Sequence, residues 1–300
     1  MVFWKSKQKE QTQKHPSALD IPLGEYDPGT ALPKSIFIGD QQTPPLVQVY
    51  EARDHLVLLS AFHQYRASSP DTYPARCLSA ARAYAYWAQH TFSPQEPLTP
   101  EQLPSLDILM AWHAHMLNPK TFDVDVNGVY ASLQGLAFPL SLAARAIESE
   151  TLPSHTDLTA DQISQLKVTR WSTEDISEAI QRQSKFVGNM HRTGWLDPSR
   201  WLDHGTMELS LGIVLYHAWL DLAHSTSLKY FLVPRLDIDL AWHSHQLHGT
   251  GYKADTERLL GQFLNHDDAA AEDKLGNGLK KTGELWKERF GYDYQPPGSD

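Results

Sequence analysis

One fourteen-residue string occurs twice, and it constrains this chain more than anything else in it. Pro104 to Leu117 reads PSLDILMAWHAHML, and Pro234 to Leu247 reads PRLDIDLAWHSHQL. Nine of the fourteen positions are identical, and the copies lie 130 residues apart. The register continues downstream, with Phe122 opposite Tyr252 and Asp125 opposite Asp255, and upstream with Tyr86 opposite Tyr216. A self-similarity of this kind predicts two related units, each carrying one motif. The expectation is that segments around 75–125 and 205–255 share a helix–loop–helix arrangement about an approximate two-fold axis. A site between them would lie at an interface of the kind where pockets are common.

The backbone decides what His-x-His can do. On a strand, residues two apart share a face and can chelate one ion. On an α-helix they point about 200° apart, so one histidine per helix reaches a common centre. The second copy alternates as a strand would, but Leu109 in place of Asp239 breaks the alternation in the first. Ile238, Ala241, Trp242 and His245 fall on one helical face. Pro234 suits a first helical position, and Asp237 a first-turn carboxylate near the positive end of the helix dipole. The motifs therefore read as helices.

Two readings of the histidines remain open. In the first, His113, His115, His243 and His245 supply a pair or quartet of metal ligands. Asp239, four residues before His243, then orients that ring. All-nitrogen ligation suits zinc, copper or iron. In the second, Trp112, Trp242 and the histidines are structural core, hydrogen-bonded to backbone or to Asp107 and Asp237. Retaining both imidazoles in both copies favours function, since apolar residues would pack at lower desolvation cost. His248 sits at chelating spacing from His245, but Asn118 replaces it in the first copy. Asn265 to Asp268, NHDD, offers possible ligands and reads better as a helix cap, with Asn265 at the cap and Asp268 in the first turn. His55, His217 and His224 read as packing or surface. No glycine-rich phosphate loop, Gly-x-Ser-x-Gly elbow or His-Glu-x-x-His string is present.

Around the motifs, helical patterns dominate and strands are few. Residues 1–15 read as a disordered tail, 16–150 as a first helical half, and 151–300 as a second, joined near ETLPSHTDL. SIFIG and LVQVY are the candidate strands. Ser172 and Asp175 have capping-box spacing. The last helical stretch, DKLGNGLKKTGELWKERF, is interrupted by glycines. With 41% hydrophobic and 21% charged residues the chain can bury a sizeable core. A net charge of -10 disfavours general nucleic-acid or anionic-membrane binding. The apolar runs are too short to span a bilayer. The lone Cys77 excludes an internal disulfide, fits a reducing compartment and lies on an apolar helical stripe. Without an apolar leader, a cytoplasmic location is expected.

The paired LDILMAWHAHMLNP and LDIDLAWHSHQL, with FLVPRLDIDLAWHSHQL, NHDD and WKERF in order, resemble the glycine-rich domain-containing protein family of plants and fungi. The resemblance covers roughly residues 50 to 290. It implies roles in growth and stress responses and carries no assigned reaction. By comparison with longer relatives, the chain reads as a form lacking the C-terminal glycine-rich region, and the roles of such added modules are not carried over. The sequence thus predicts a mainly α protein of two quasi-repeated helical halves packed together. Its leading function is that of a soluble protein with a histidine-rich centre, holding a divalent transition metal and acting on a small-molecule substrate. The competing reading is a non-catalytic interaction scaffold whose WHxH motifs are core.

Overall fold

Helix α1, Val49–Ala67, starts where Gln48 and Glu51 cap each other, and it carries Leu56, Leu59 and Phe62 into the interior. Five later helices pack on it, so the rest of the fold is arranged around this element. A computed structural model of the chain describes residues 17–19, 26–94, 98–168, 170–202 and 205–295. The expected tail at 1–15 lies outside the described residues. The further helices are α2 (Tyr73–Tyr86), α3 (Leu106–Met116), α4 (Pro119–Val126), α5 (Leu140–Glu148), α6 (Ala160–Ser164) and α7 (Thr173–Arg192). They are followed by α8 (Pro198–Leu202), α9 (Gly205–Ser225), α10 (Leu236–Gln246), α11 (Thr250–Leu260) and α12 (Glu272–Phe290). The protein is mainly α, as expected. Among the described residues its one sheet is a hairpin of β1 (Ile36–Ile38) and β2 (Gln41–Thr43), with Ile38 paired to Gln41.

The helices associate as their sequences dictate. Helix α7 opens on the Ser172–Asp175 capping box, with Asp175 N–H donating to Ser172 Oγ at 3.1 Å and Ser172 N–H to Asp175 Oδ2 at 2.8 Å. It packs against α1, α2 and α3. Helix α9 is buried along Ile213, Tyr216, Trp219 and Leu220 and packs against α10. Gly212 makes that approach close, since a Cβ there would stand 3.1 Å from the Asp237 carbonyl oxygen. The buried apolar residues form a continuous cluster that runs through both motif helices, and it takes in Cys77.

Two expectations fail here. LVQVY is not a strand, because Gln48 caps α1 and Val49 is already helical. The glycines of DKLGNGLKKTGELWKERF do not interrupt α12. One of them permits contact, since a Cβ on Gly278 would lie 2.7 Å from Val233 Cγ2.

A buried ion pair fastens the periphery to the core. Asp221 on α9 has no solvent exposure and accepts two hydrogen bonds from Arg289 of α12, each 3.0 Å. The same carboxylate accepts from the backbone N–H of Gly39 at 2.8 Å, in the turn of the hairpin. That turn needs its glycine: φ is 61°, and a Cβ would sit 2.3 Å from Cε1 of His224. Asp221→Ala should therefore cost about 3 kcal/mol in denaturant unfolding, the low end for a broken buried pair, because Arg289 keeps some solvent. Trp112, 1% exposed, should cost roughly 3–5 kcal/mol on replacement by Ala. A loss under about 1 kcal/mol in either variant would contradict the core role given to that residue.

Candidate functional site

Both motifs are helices, so each His-x-His pair is divided between two sides. His115 is fully buried. Its Nδ1 meets the Tyr84 hydroxyl at 3.0 Å and its Nε2 meets Asp125 Oδ2 at 3.1 Å. His245 has the same surroundings, with Tyr216 at 2.9 Å and Asp255 at 3.3 Å. The carboxylate accepts from Nε2–H, and the phenol donates to Nδ1. Burial holds both phenols well above the ordinary tyrosine range, so they remain donors. Tyr84, not Tyr86, does the work that Tyr216 does. Tyr84 precedes its histidine by 31 residues and Tyr216 by 29, so the ungapped upstream register fails by two residues. Tyr86 instead packs beside His90.

The other histidine of each pair meets a different environment. His113 Nε2 lies 2.9 Å from His55 Nε2, among the rings of Phe62 and Phe138. His55 Nδ1 lies 2.9 Å from Ser244 Oγ, whose hydroxyl donates to the Leu240 carbonyl. Ser244 therefore accepts from His55 Nδ1–H, and His55 Nε2 accepts from His113 Nε2–H. His55, expected to be packing or surface, thus links the two motif helices. His217 does act as packing: it accepts from Leu46 N–H at 3.0 Å and meets its own helix at the Ile213 carbonyl.

His243 borders a cleft of about 660 Å³. Its Nε2 lies 3.3 Å from Asp239 Oδ1 and 3.3 Å from His266 Nε2. His266 belongs to the NHDD stretch. Its Nδ1–H donates to the Leu117 carbonyl at 2.7 Å, which aims Nε2 at the other two side chains. Ligand atoms of Asp239, His243 and His266 all fall within 4.8 Å of one another, the one such grouping of three or more His, Cys, Asp or Glu among the described residues. Asp239 Oδ1 and His243 Nδ1 are buried without a hydrogen-bond partner. Burial pushes the Asp239 carboxyl up to about 8. It lowers His243 well below the usual histidine value, and His266 in the same direction.

The expected quartet is thus dispersed over separate partner sets, and only His243 joins the cleft cluster. Asp239 meets His243 directly, at the same nitrogen that faces His266. Asp107 and Asp237 do not serve the motif histidines. Asp107 pairs with His155, and Asp237 takes the Arg235 guanidinium at 2.5 Å. His248 pairs with Glu51 at 2.9 Å and does not chelate with His245. Trp112 and Trp242 are buried; Trp242 also borders the cleft and donates from Nε1 to the Tyr252 hydroxyl at 2.9 Å. The cap reading of NHDD fails, because α12 begins beyond it at Glu272. Asp268 instead accepts from Arg182 Nε at 3.0 Å and from Asn118 Nδ2 at 3.3 Å, which fixes the loop that carries His266.

These buried imidazoles give stability a pH dependence. Desolvation lowers His55 to about 3, His217 to about 4, and His113 well below 6.5. Their unfolded value is near 6.5. Below that pH the unfolded chain binds protons that the folded chain refuses, so this stability is present above about 6.5 and is lost as pH falls. Asp239 works in the opposite sense, while His243 and His266, also lowered by burial, act in the same sense as these three. Unfolding free energy should drop by roughly 2–4 kcal/mol between pH 7 and pH 5. A flat profile in urea melts across that window would mean that the imidazoles take up protons within the fold.

The profile of the glycine-rich domain-containing protein-like family matches residues 143–255, a span that holds Asp239 and His243 and stops before His266. Glycine-rich domain-containing protein 2 of Arabidopsis thaliana is 31% identical over 277 residues, covering 83% of this chain and 33% of the relative. Glycine-rich domain-containing protein 1 of the same plant is 31% identical over 221 residues, covering 66% of this chain and 26% of the relative. The chain thus spans about a third of the length of the curated relatives it matches. No solved structure matches it. None of the described helices is long and apolar enough to cross a membrane. With its doubled motif and these matches, the chain belongs to the glycine-rich domain-containing protein-like family.

Proposed function

We propose that this chain binds one divalent transition metal through Asp239, His243 and His266 and acts as a metal-dependent enzyme on a small molecule held in the adjoining cleft. The observation that carries the reading is the convergence of two imidazoles and one carboxylate oxygen within 4.8 Å at a 660 Å³ cleft. Two histidines and a carboxylate suit zinc, copper or iron. A metal held there supplies Lewis acidity and lowers the pKa of a bound water. The Leu117 carbonyl orients His266, as a backbone acceptor commonly does for a ligating imidazole. Asp239 Oδ1 has no hydrogen-bond donor of its own, so it is free to ligate. Phe186, Trp219 and Trp242 keep water from the buried end of the cleft.

The same reading treats the two motif helices as copies of one ancestral unit, of which the second kept a reactive centre. Leu109 stands where Asp239 stands, and Phe138 and His55 surround His113. A reducing, cytoplasmic setting belongs to this proposal, in line with the single buried thiol of Cys77, which burial raises to about 11.

The test is metal content. Chelator-stripped protein titrated with Zn²⁺ or Co²⁺ should take up one ion per chain, and Co²⁺ should give the visible absorption of a nitrogen–oxygen site. His243→Ala and His266→Ala should each weaken binding by at least about 100-fold, while His113→Ala should bind as the parent does. A folded parent that takes up no ion, or uptake unchanged by His243→Ala and His266→Ala, would end the metal reading and favour the scaffold.

A further inference from the structure

We propose that the ligand of this cleft is a small amphipathic acid, with an apolar body lying against the aromatic wall and a single anionic group held at the mouth by Lys120 and Lys185. The inference deepens the metal-centre reading and rests on it for the chemistry, but the recognition it describes stands on separate residues.

The wall is apolar. Phe186, Trp219, Leu232 and Trp242 are each under 10% exposed and line the cleft. Such a surface gains by covering an apolar body and offers little to a sugar or a polar peptide. The charges lie elsewhere. Two acids of the lining are already neutralised: Asp268 by Arg182 at 3.0 Å, and Asp267 by Lys274 at 2.8 Å. Lys120 and Lys185 line the same cleft, are exposed, and have no ion pair among the described residues. In a chain of net charge -10, two uncompensated ammonium groups on one cleft are a local reversal of the prevailing field. They repel a cationic ligand and attract an anionic one. Their long stems let the ammonium groups follow the ligand's head group while staying hydrated, which suits a carboxylate or a phosphate alike. At about 660 Å³ the cleft has the size of a small-molecule site.

The experiment uses the full chain, freed of metal and dialysed, so that the lysines are read apart from any metal–carboxylate bond. Decanoate, decyl phosphate, decanol and decylammonium are titrated calorimetrically at low and high salt. Decanoate should bind at least about tenfold more tightly than decanol, and added salt should reduce that difference. Decylammonium should not bind measurably. Decyl phosphate tighter than decanoate would identify the head group as phosphate; the reverse would identify it as carboxylate. The double variant Lys120→Ala/Lys185→Ala should lose about tenfold for decanoate and nothing for decanol, and it should still take up one metal ion. Equal affinity for decanoate and decanol, no binding by either acid, or an unchanged preference in the double variant would overturn the proposal. Loss of metal uptake in His243→Ala with the acid preference intact leaves this recognition standing. Metal uptake at parental strength in His243→Ala would sink the metal centre alone.

Discussion

A buried tyrosine–histidine–aspartate chain is the interaction on which the architecture depends. An imidazole removed from water costs least when both of its nitrogens are hydrogen-bonded. For His115 this requires Tyr84 from α2 and Asp125 from α4; for His245 it requires Tyr216 from α9 and Asp255 from α11. Three helices are thereby fixed in mutual orientation in each case. The aspartates are anchored in turn, Asp125 by the Arg170 N–H and Asp255 by Arg258. Once one histidine of each pair is committed, the helical period leaves the other no choice but the opposite side. The positions of His113 and His243 are thus consequences of where His115 and His245 are held.

What those opposite sides meet differs. Beside His113, Phe62, Phe138 and His55 fill the space, and the imidazole becomes one link in a dry chain ending at Ser244. Beside His243 stands Asp239, where the first copy has Leu109. A carboxyl pushed up to about 8 by burial, without a donor on Oδ1, is a cost to the fold that a leucine would not impose. Such costs are tolerated where a site needs them. The single exchange of leucine for aspartate therefore marks which copy is core and which borders the cleft.

Much of this was legible in the residues. Helical spacing placed both motifs on helices, kept Trp112 and Trp242 inside, and put Asp239 one turn from His243. What local sequence could not give was tertiary. NHDD has the letters of a cap, and nothing nearby says that Leu117, 149 residues earlier, supplies the acceptor that turns His266 toward the cleft. Tyr86 matched Tyr216 only because the alignment was carried upstream without a gap, whereas the contact to His115 selects Tyr84. LVQVY has the β-branched and aromatic content of a strand, yet Gln48 and Glu51 were there to read as a capping box. His55 shows no motif of its own, and its role emerges only when α1 is laid against α3 and α10.

The Leu117 carbonyl has a wider implication. It ends the first motif helix, and yet it orients a side chain of the second cluster, while Asn118 beside it steadies the same loop through Asp268. The end of the first motif helix is therefore in direct contact with the loop that faces the second. A boundary drawn at residue 255, where the family profile ends, passes between His243 and His266 and divides the cluster. Residues 151–300 contain all three members of the cluster without the acceptor that sets their geometry. A change at the end of the first motif helix would thus be felt at His266, 149 residues further along the chain.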